Sequence, residues 1–184
     1  MHARVLVRCL PTYADPLVSV SSYKLSCLTV VHVIAPACRP IVVYRSCLHT
    51  PGRVDPEQYN RYVIKTLEQG RVDYGLGYKV QAAVVVDRVG SGLKNQDPAL
   101  LRVLLPCFTT HFPGVIGNIY IAPVNNIFYA IWSLVSLLLD PDTRACVKLL
   151  KKESKTEQLL EDMDASVLPK NLGGQLAVPQ AGIL

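Results

Sequence analysis

Cys107 and His111 stand four residues apart, the spacing that places an imidazole beside a thiol on one helix face and would let it draw off the proton. Ser91 near Asp87 is a second hydroxyl and carboxylate combination. Neither has an evident third group to orient the base, and Cys107 follows Pro106 in an apolar stretch, which suits a packed thiol better than a nucleophile. The glycine-rich stretches GLGYK (Gly75 to Lys79) and GSGLK (Gly90 to Lys94) put backbone amides beside a lysine, as phosphate cradles do. Both lack the spacing of a nucleotide loop and its Ser or Thr after the lysine, and both lack the third glycine of a dinucleotide fingerprint. They read as turns. His32 and His49 are isolated, and Cys9, Cys27, Cys38, Cys47, Cys107 and Cys146 form no CxxC pair. These are therefore expected to be reduced cytosolic thiols, with no metal site, no cofactor and no enzymatic activity.

The 184 residues suffice for one domain with a sizeable core. Hydrophobic residues make up 50% and charged residues 18%, on the apolar side of ordinary soluble chains, where about 25% are charged. Nineteen basic against fourteen acidic residues leave a charge of +5, without the basic runs of a nucleic-acid binder. Arg144, Lys148, Lys151, Lys152 and Lys155 form the densest basic group, either a solvated edge or an approach to anionic headgroups. Met1 to Arg8 is broken by Arg4 and Arg8 and makes a poor secretory signal. The apolar runs Leu25 to Cys38 and Ile127 to Leu139 fall short of the roughly 20 residues a spanning helix needs.

Elements that could position these residues become legible from Arg39 onward. RPIVVYR (Arg39 to Arg45), QAAVVVD (Gln81 to Asp87), NIYIA (Asn118 to Ala122) and CVKLL (Cys146 to Leu150) read as strands, the second apolar enough to be buried on both faces. Asp55-Pro56 and Asp97-Pro98 each supply a cap and a first-turn proline. The first predicted helix buries Tyr59, Tyr62, Val63 and Leu67 and stops at Gly70. The second buries Leu101, Leu104, Leu105 and Phe108, with a kink at Pro106. Asn125 or Asn126 caps a third helix, Asp140-Pro141 a short turn, and Ser154 to Glu157 is a capping box before Leu159, Leu160 and Met163. This alternation predicts an α/β domain with a mainly parallel sheet. Short strands are expected near Val5 and Val30, and the tail beyond Gly174 either packs back or is disordered.

The third helix is the physical oddity. Phe128, Ile131, Trp132, Val135, Leu138 and Leu139 make one apolar side, while Ile127, Tyr129, Leu134 and Leu137 crowd the other. A surface helix needs one apolar stripe. The second side requires more protein or an apolar ligand, because left in water it would be a large exposed patch.

RPIVVYR, VVVDRVGSGLKN (Val84 to Asn95), HFPGVIGNIYIAPVNNIF (His111 to Phe128), Trp132, LLDPDTR (Leu138 to Arg144) and LPKNLGG (Leu168 to Gly174) occur in an order that resembles the CRAL-TRIO domain. This is the lipid-binding fold of phosphatidylinositol/phosphatidylcholine transfer proteins, cellular retinaldehyde-binding protein and α-tocopherol transfer protein. The resemblance implies a three-layer α/β domain over residues 39–174, between an unassigned segment 1–38 and a tail 175–184. Its mixed, mainly parallel sheet would floor an apolar pocket, and a mobile helix, Asn126 to Leu139 by position, would gate it. On that basis Val84, Val86, Tyr120 and Ile121 form the floor, Phe128, Ile131, Trp132, Val135 and Leu139 line or gate the pocket, and Arg144, Lys148 and Lys151 approach the membrane. Gly114, Val115 and Cys146 stand where inositide binders carry an acidic and two basic residues, and Ala82 and Val84 where choline-lipid binders carry hydroxyls. The implied ligand is therefore wholly apolar or weakly polar. The expected function is binding and intermembrane transfer of a hydrophobic molecule by a cytoplasmic, peripherally membrane-associated protein. The alternative is a protein-interaction module on the same fold.

Overall fold

A computed structural model describes residues 5–9, 28–33, 41–73, 81–111 and 116–177; the side chains of residues 5–9, 28–33, 66, 67, 69–73, 107–111 and 138 lie outside it. Among the described residues six strands form one sheet: β1 (Val5–Cys9), β2 (Leu28–Val33), β3 (Ile41–Arg45), β4 (Ala82–Asp87), β5 (Ile116–Val124) and β6 (Val147–Lys151). They lie side by side in chain order. β1, β2 and β3 pair antiparallel, and β3 to β6 pair parallel. The strands expected near Val5 and Val30 are present, and both join the same sheet as β3 to β6.

Helices α1 (Pro56–Asp73), α2 (Pro98–His111), α3 (Asn126–Val135), α4 (Pro141–Ala145) and α5 (Lys155–Asp162) fill the connections and the end. Their starts follow the cap chemistry. Asp55 accepts from Gln58 N–H, Asp97 from Leu100 N–H, Asn125 from Phe128 N–H and Asp140 from Thr143 N–H, each at 2.8–3.0 Å. Three details differ from expectation. α1 runs through Gly70 to Asp73, since a glycine inside a helix costs only about 1 kcal/mol. α3 tightens into a 3-10 turn over Ser136–Leu138 and does not reach Leu139 as an α-helix. Ser154 makes no capping box; its hydroxyl bonds Gln158 Oε1 at 3.2 Å instead.

Register divides the parallel strands into two faces. Tyr44, Val86, Ile121 and Leu149 are neighbours across one face, and Val43, Val85, Tyr120 and Lys148 across the other. On the first, Tyr44 packs with Tyr59 and Val63 of α1 and Leu100 and Leu104 of α2, while Val86, Ile119, Ile121, Val147 and Leu149 meet α3. Successive right-handed crossovers that advance one way across a sheet put their helices on one side, which explains why all three share this face. The opposite face holds the larger core: Ile41, Val43, Ala83, Val85, Tyr120, Ala122 and Leu150 under Leu159 and Met163 of α5 and under Val167, Leu168, Leu172 and Leu176. The chain after Gly174 thus packs back as far as Leu176, where Leu176 N–H donates to Leu168 O at 3.0 Å and Lys170 N–H to Leu176 O at 3.0 Å. The domain is three-layered.

Candidate functional site

The face of β4 that meets α5 is sealed, with Val85 and Asp87 each 0% exposed. The other is not. Val84 and Val86 stay partly exposed in the middle of the sheet, as do Ile119 on β5 and Val147 and Leu149 on β6. Over this apolar floor lies α3, whose Phe128 is buried on Ile121 and Val124 while Tyr129 and Trp132 pack more loosely against the same cluster. Ile131 and Val135 are partly exposed and Leu139 is buried. Among the described residues nothing covers the outer side of the helix: Ile127 is 57% exposed, Leu134 69% and Leu137 71%. Together with exposed Ala130 they fall at helical spacings of three, four and three residues and form one stripe. The two-sided helix read from the sequence therefore has an inner stripe on the sheet and an outer stripe facing solvent.

Of the residues assigned to the pocket, Val86, Ile121, Phe128 and Trp132 share one cluster and Val84 lies on its face by register. Tyr120 does not. Adjacent strand residues point to opposite faces, so Tyr120 and Ile121 cannot both floor one pocket. The Tyr120 ring is buried under α5, where its hydroxyl donates to Asp162 Oδ2 at 2.9 Å and accepts from Asn118 Nδ2 at 3.2 Å. Burial, with the Asp162 carboxylate beside it, raises the pKa of that hydroxyl above the ordinary tyrosine value. Lys148 belongs to the same group: its ammonium is 2.6 Å from Asp162 Oδ2 and 5.2 Å from the centre of the Tyr120 ring. It braces α5 against β5 and β6, on the face away from α3, and is not free to approach a membrane beside that helix. Arg144 donates to Leu139 O at 3.2 Å, and Lys155 to Asn171 O at 3.2 Å. Exposed Lys151 and Lys152 have no partner among the described residues, and Lys151 follows Val147 and Leu149 on the α3 face.

The catalytic candidates disperse. Ser91 Oγ donates to Arg88 O at 2.9 Å, not to Asp87, whose carboxylate is buried with Arg45, Asn171 and Val89 N–H. The GSGLK loop is a turn held by Asn95: its amide donates to His49 O at 2.8 Å and its carbonyl accepts from Gly92 N–H at 2.9 Å. His49 pairs with Asp97, the cap of α2, at 3.0 Å. The side chains of His32, Cys107 and His111, the stretch GLGYK, and Gly114 and Val115 lie outside the described residues. Among the described residues no group of three His, Cys, Asp or Glu could hold a metal, and no helix is long and apolar enough to cross a membrane.

One residue at the site escaped the sequence reading. Arg88 continues the β4 ladder, its N–H donating to Ala122 O at 2.7 Å, and its guanidinium carbon lies 4.1 Å from the centre of the Phe128 ring. The signal was available, since Arg88 shares the parity of Val84 and Val86 and must point to the same face. The strand expected over Gln81 to Asp87 ends one residue short of it.

Comparison with known proteins gives the same architecture. The crystal structure of Sfh5 superposes with a TM-score of 0.57 over 77% of this chain and 56% of that one, at 14% identity. Phosphatidylinositol transfer protein CSR1 of Eremothecium gossypii is 28% identical over 136 residues, 74% of this chain and 30% of the relative. CRAL-TRIO domain-containing protein C3H8.02 of Schizosaccharomyces pombe is 27% identical over 122 residues, 66% of this chain and 27% of the relative. Phosphatidylinositol/phosphatidylcholine transfer protein SFH14 of Arabidopsis thaliana is 28% identical over 159 residues, 78% of this chain and 27% of the relative. The chain spans less than a third of the length of these relatives. The CRAL/TRIO domain family matches residues 26–174, starting within the segment before β2, and the chain belongs to that family.

Proposed function

We propose that this domain binds a lipid or similar hydrophobic molecule between the β4–β6 face and α3, and passes it between membranes without chemical change. The observation that carries the reading is the helix with two apolar stripes, one on a partly exposed apolar floor and one in solvent. A lipid chain lying on Val84, Val86, Ile119 and Ile121 would cover the floor, each buried methylene contributing about 0.8 kcal/mol. Docking the outer stripe, Ile127, Leu134 and Leu137, on a bilayer would give α3 an apolar environment when it swings away. Lys151 and Lys152 would add attraction to anionic headgroups. That two relatives are named as phosphatidylinositol transfer proteins supports a lipid as the cargo class.

The test is native mass spectrometry of the purified chain, before and after incubation with phosphatidylcholine vesicles. Wild type is expected to carry or acquire one lipid, and Trp132→Asp, which places a carboxylate against the floor, to retain at least tenfold less. A wild-type chain that stays empty under both conditions, with α3 closed on the sheet, would leave the outer stripe to a protein partner.

A further inference from the structure

On the open face of β4 the side chains run Ala82, Val84, Val86 and then Arg88, three apolar groups followed by a guanidinium. The strip is about 20 Å long at roughly 3.3 Å per residue. It ends at the carboxyl end of a parallel strand, where open α/β sheets hold ligands. The guanidinium lies over the ring of Phe128, in the first turn of α3, a contact that uses none of its hydrogen-bond donors. Its donors lie in the plane. Nε is buried with no hydrogen-bond partner, and no carboxylate pairs with this arginine among the described residues, whereas Arg45 has Asp87 and Lys148 has Asp162. Burial has already lowered the guanidinium pKa from its ordinary value, the sign of a charge kept partly out of water without a counter-ion.

We infer that Arg88 is the polar end of the ligand site, and that the ligand is an amphiphile whose apolar chain lies along Val84 and Val86 and whose carboxylate or phosphate pairs with the Arg88 guanidinium. The inference rests on the lipid-binding reading above and narrows it: the family resemblance implied a ligand with little polarity, and Arg88 demands an anion. Arginine suits the task because its planar fork meets two oxygens of a carboxylate or phosphate at once while its face remains on the ring. Arg88 then reports occupancy to α3, since the same side chain touches the ligand and Phe128 of that helix.

The test loads the chain from phosphatidylcholine vesicles doped in turn with oleate, dioleoyl phosphatidic acid or oleyl alcohol, and measures retained ligand by native mass spectrometry. Wild type is expected to retain at least one of the two acids about tenfold over oleyl alcohol, the scale of one charge-assisted hydrogen bond. The acid retained tells a fatty acid from a phospholipid source. Arg88→Met is expected to lose that preference and bind oleyl alcohol as wild type does, which also certifies its fold; Arg88→Gln repeats the comparison with a neutral polar side chain. Equal retention of oleate, phosphatidic acid and oleyl alcohol by wild type overturns the inference and leaves lipid binding intact. So does an Arg88→Met protein that keeps its acid preference, or one that loses all three ligands alike, because Arg88 would then only brace α3. A wild type that takes phosphatidylcholine but none of the three overturns this inference alone, and one that takes no lipid at all overturns both readings.

Discussion

Tyr120, Lys148 and Asp162 show how far single residues can be read in advance. Each was visible, two were assigned to the ligand or membrane side, and the structure joins all three on the opposite face. Strand parity alone separates Tyr120 from Ile121, but nothing in the local sequence says that Asp162, on a later helix, will be the partner. The hydrogen bonds from Lys148 and then Tyr120 hold the Asp162 carboxylate below its ordinary pKa. A depressed carboxylate stabilises the fold above its unfolded pKa, about 3.9, and this contribution disappears as pH falls through the folded value. Asp162→Asn is therefore expected to be less stable than wild type at pH 7 and to lose less further stability below pH about 4. Denaturant melts at pH 7 and pH 3 check this; since both charges are exposed by a third or more, the difference should stay near or below about 1 kcal/mol.

At the scale of elements the sequence was most legible where a cap precedes a proline or an apolar run. Asp55 and Asp97 cap the helices expected of them, Asn125 is the cap of the two asparagines offered, and Asp140 caps the expected short turn, because a short acceptor beside free N–H groups is a local interaction. Ser154 failed where its own hydroxyl found the side chain of Gln158. The double stripe of α3 was legible as composition, but its division into a packed and a bare side depends on how the sheet approaches. Replacing Ile127, Leu134 and Leu137 together by serine removes the bare stripe without touching the floor. The melting temperature is expected to change little, as exposed positions seldom contribute more than about 0.5 kcal/mol each. Transfer of a fluorescent lipid between vesicles should slow about tenfold or more, and an unchanged rate would detach the stripe from membrane contact.

Across the whole molecule the asymmetry of the two faces was the least legible feature, because the segment that seals one of them is a short stretch near the end of the described chain. Val167, Leu168, Leu172 and Leu176 close the α5 face, and Gly174 passes so near the Leu168 carbonyl that a methyl group there would collide with backbone. Gly174→Ala is expected to destabilise the domain by about 1–3 kcal/mol through overpacking, seen as a melting temperature lower by several degrees. Lipid loading of the molecules that remain folded should be unaffected, since the affected layer lies across the sheet from α3.

That closing segment also bears on how the chain matures on the ribosome. Because the strands lie in chain order, each can join a neighbour already synthesised. The buried Asp87 carboxylate, however, waits 84 residues for Asn171. At about 5–20 residues per second the nascent sheet spends roughly 4–17 s with its central carboxylate held by Arg45 and the Val89 N–H but short of its last partner, and with one greasy side bare, the interval in which a chaperone would find it.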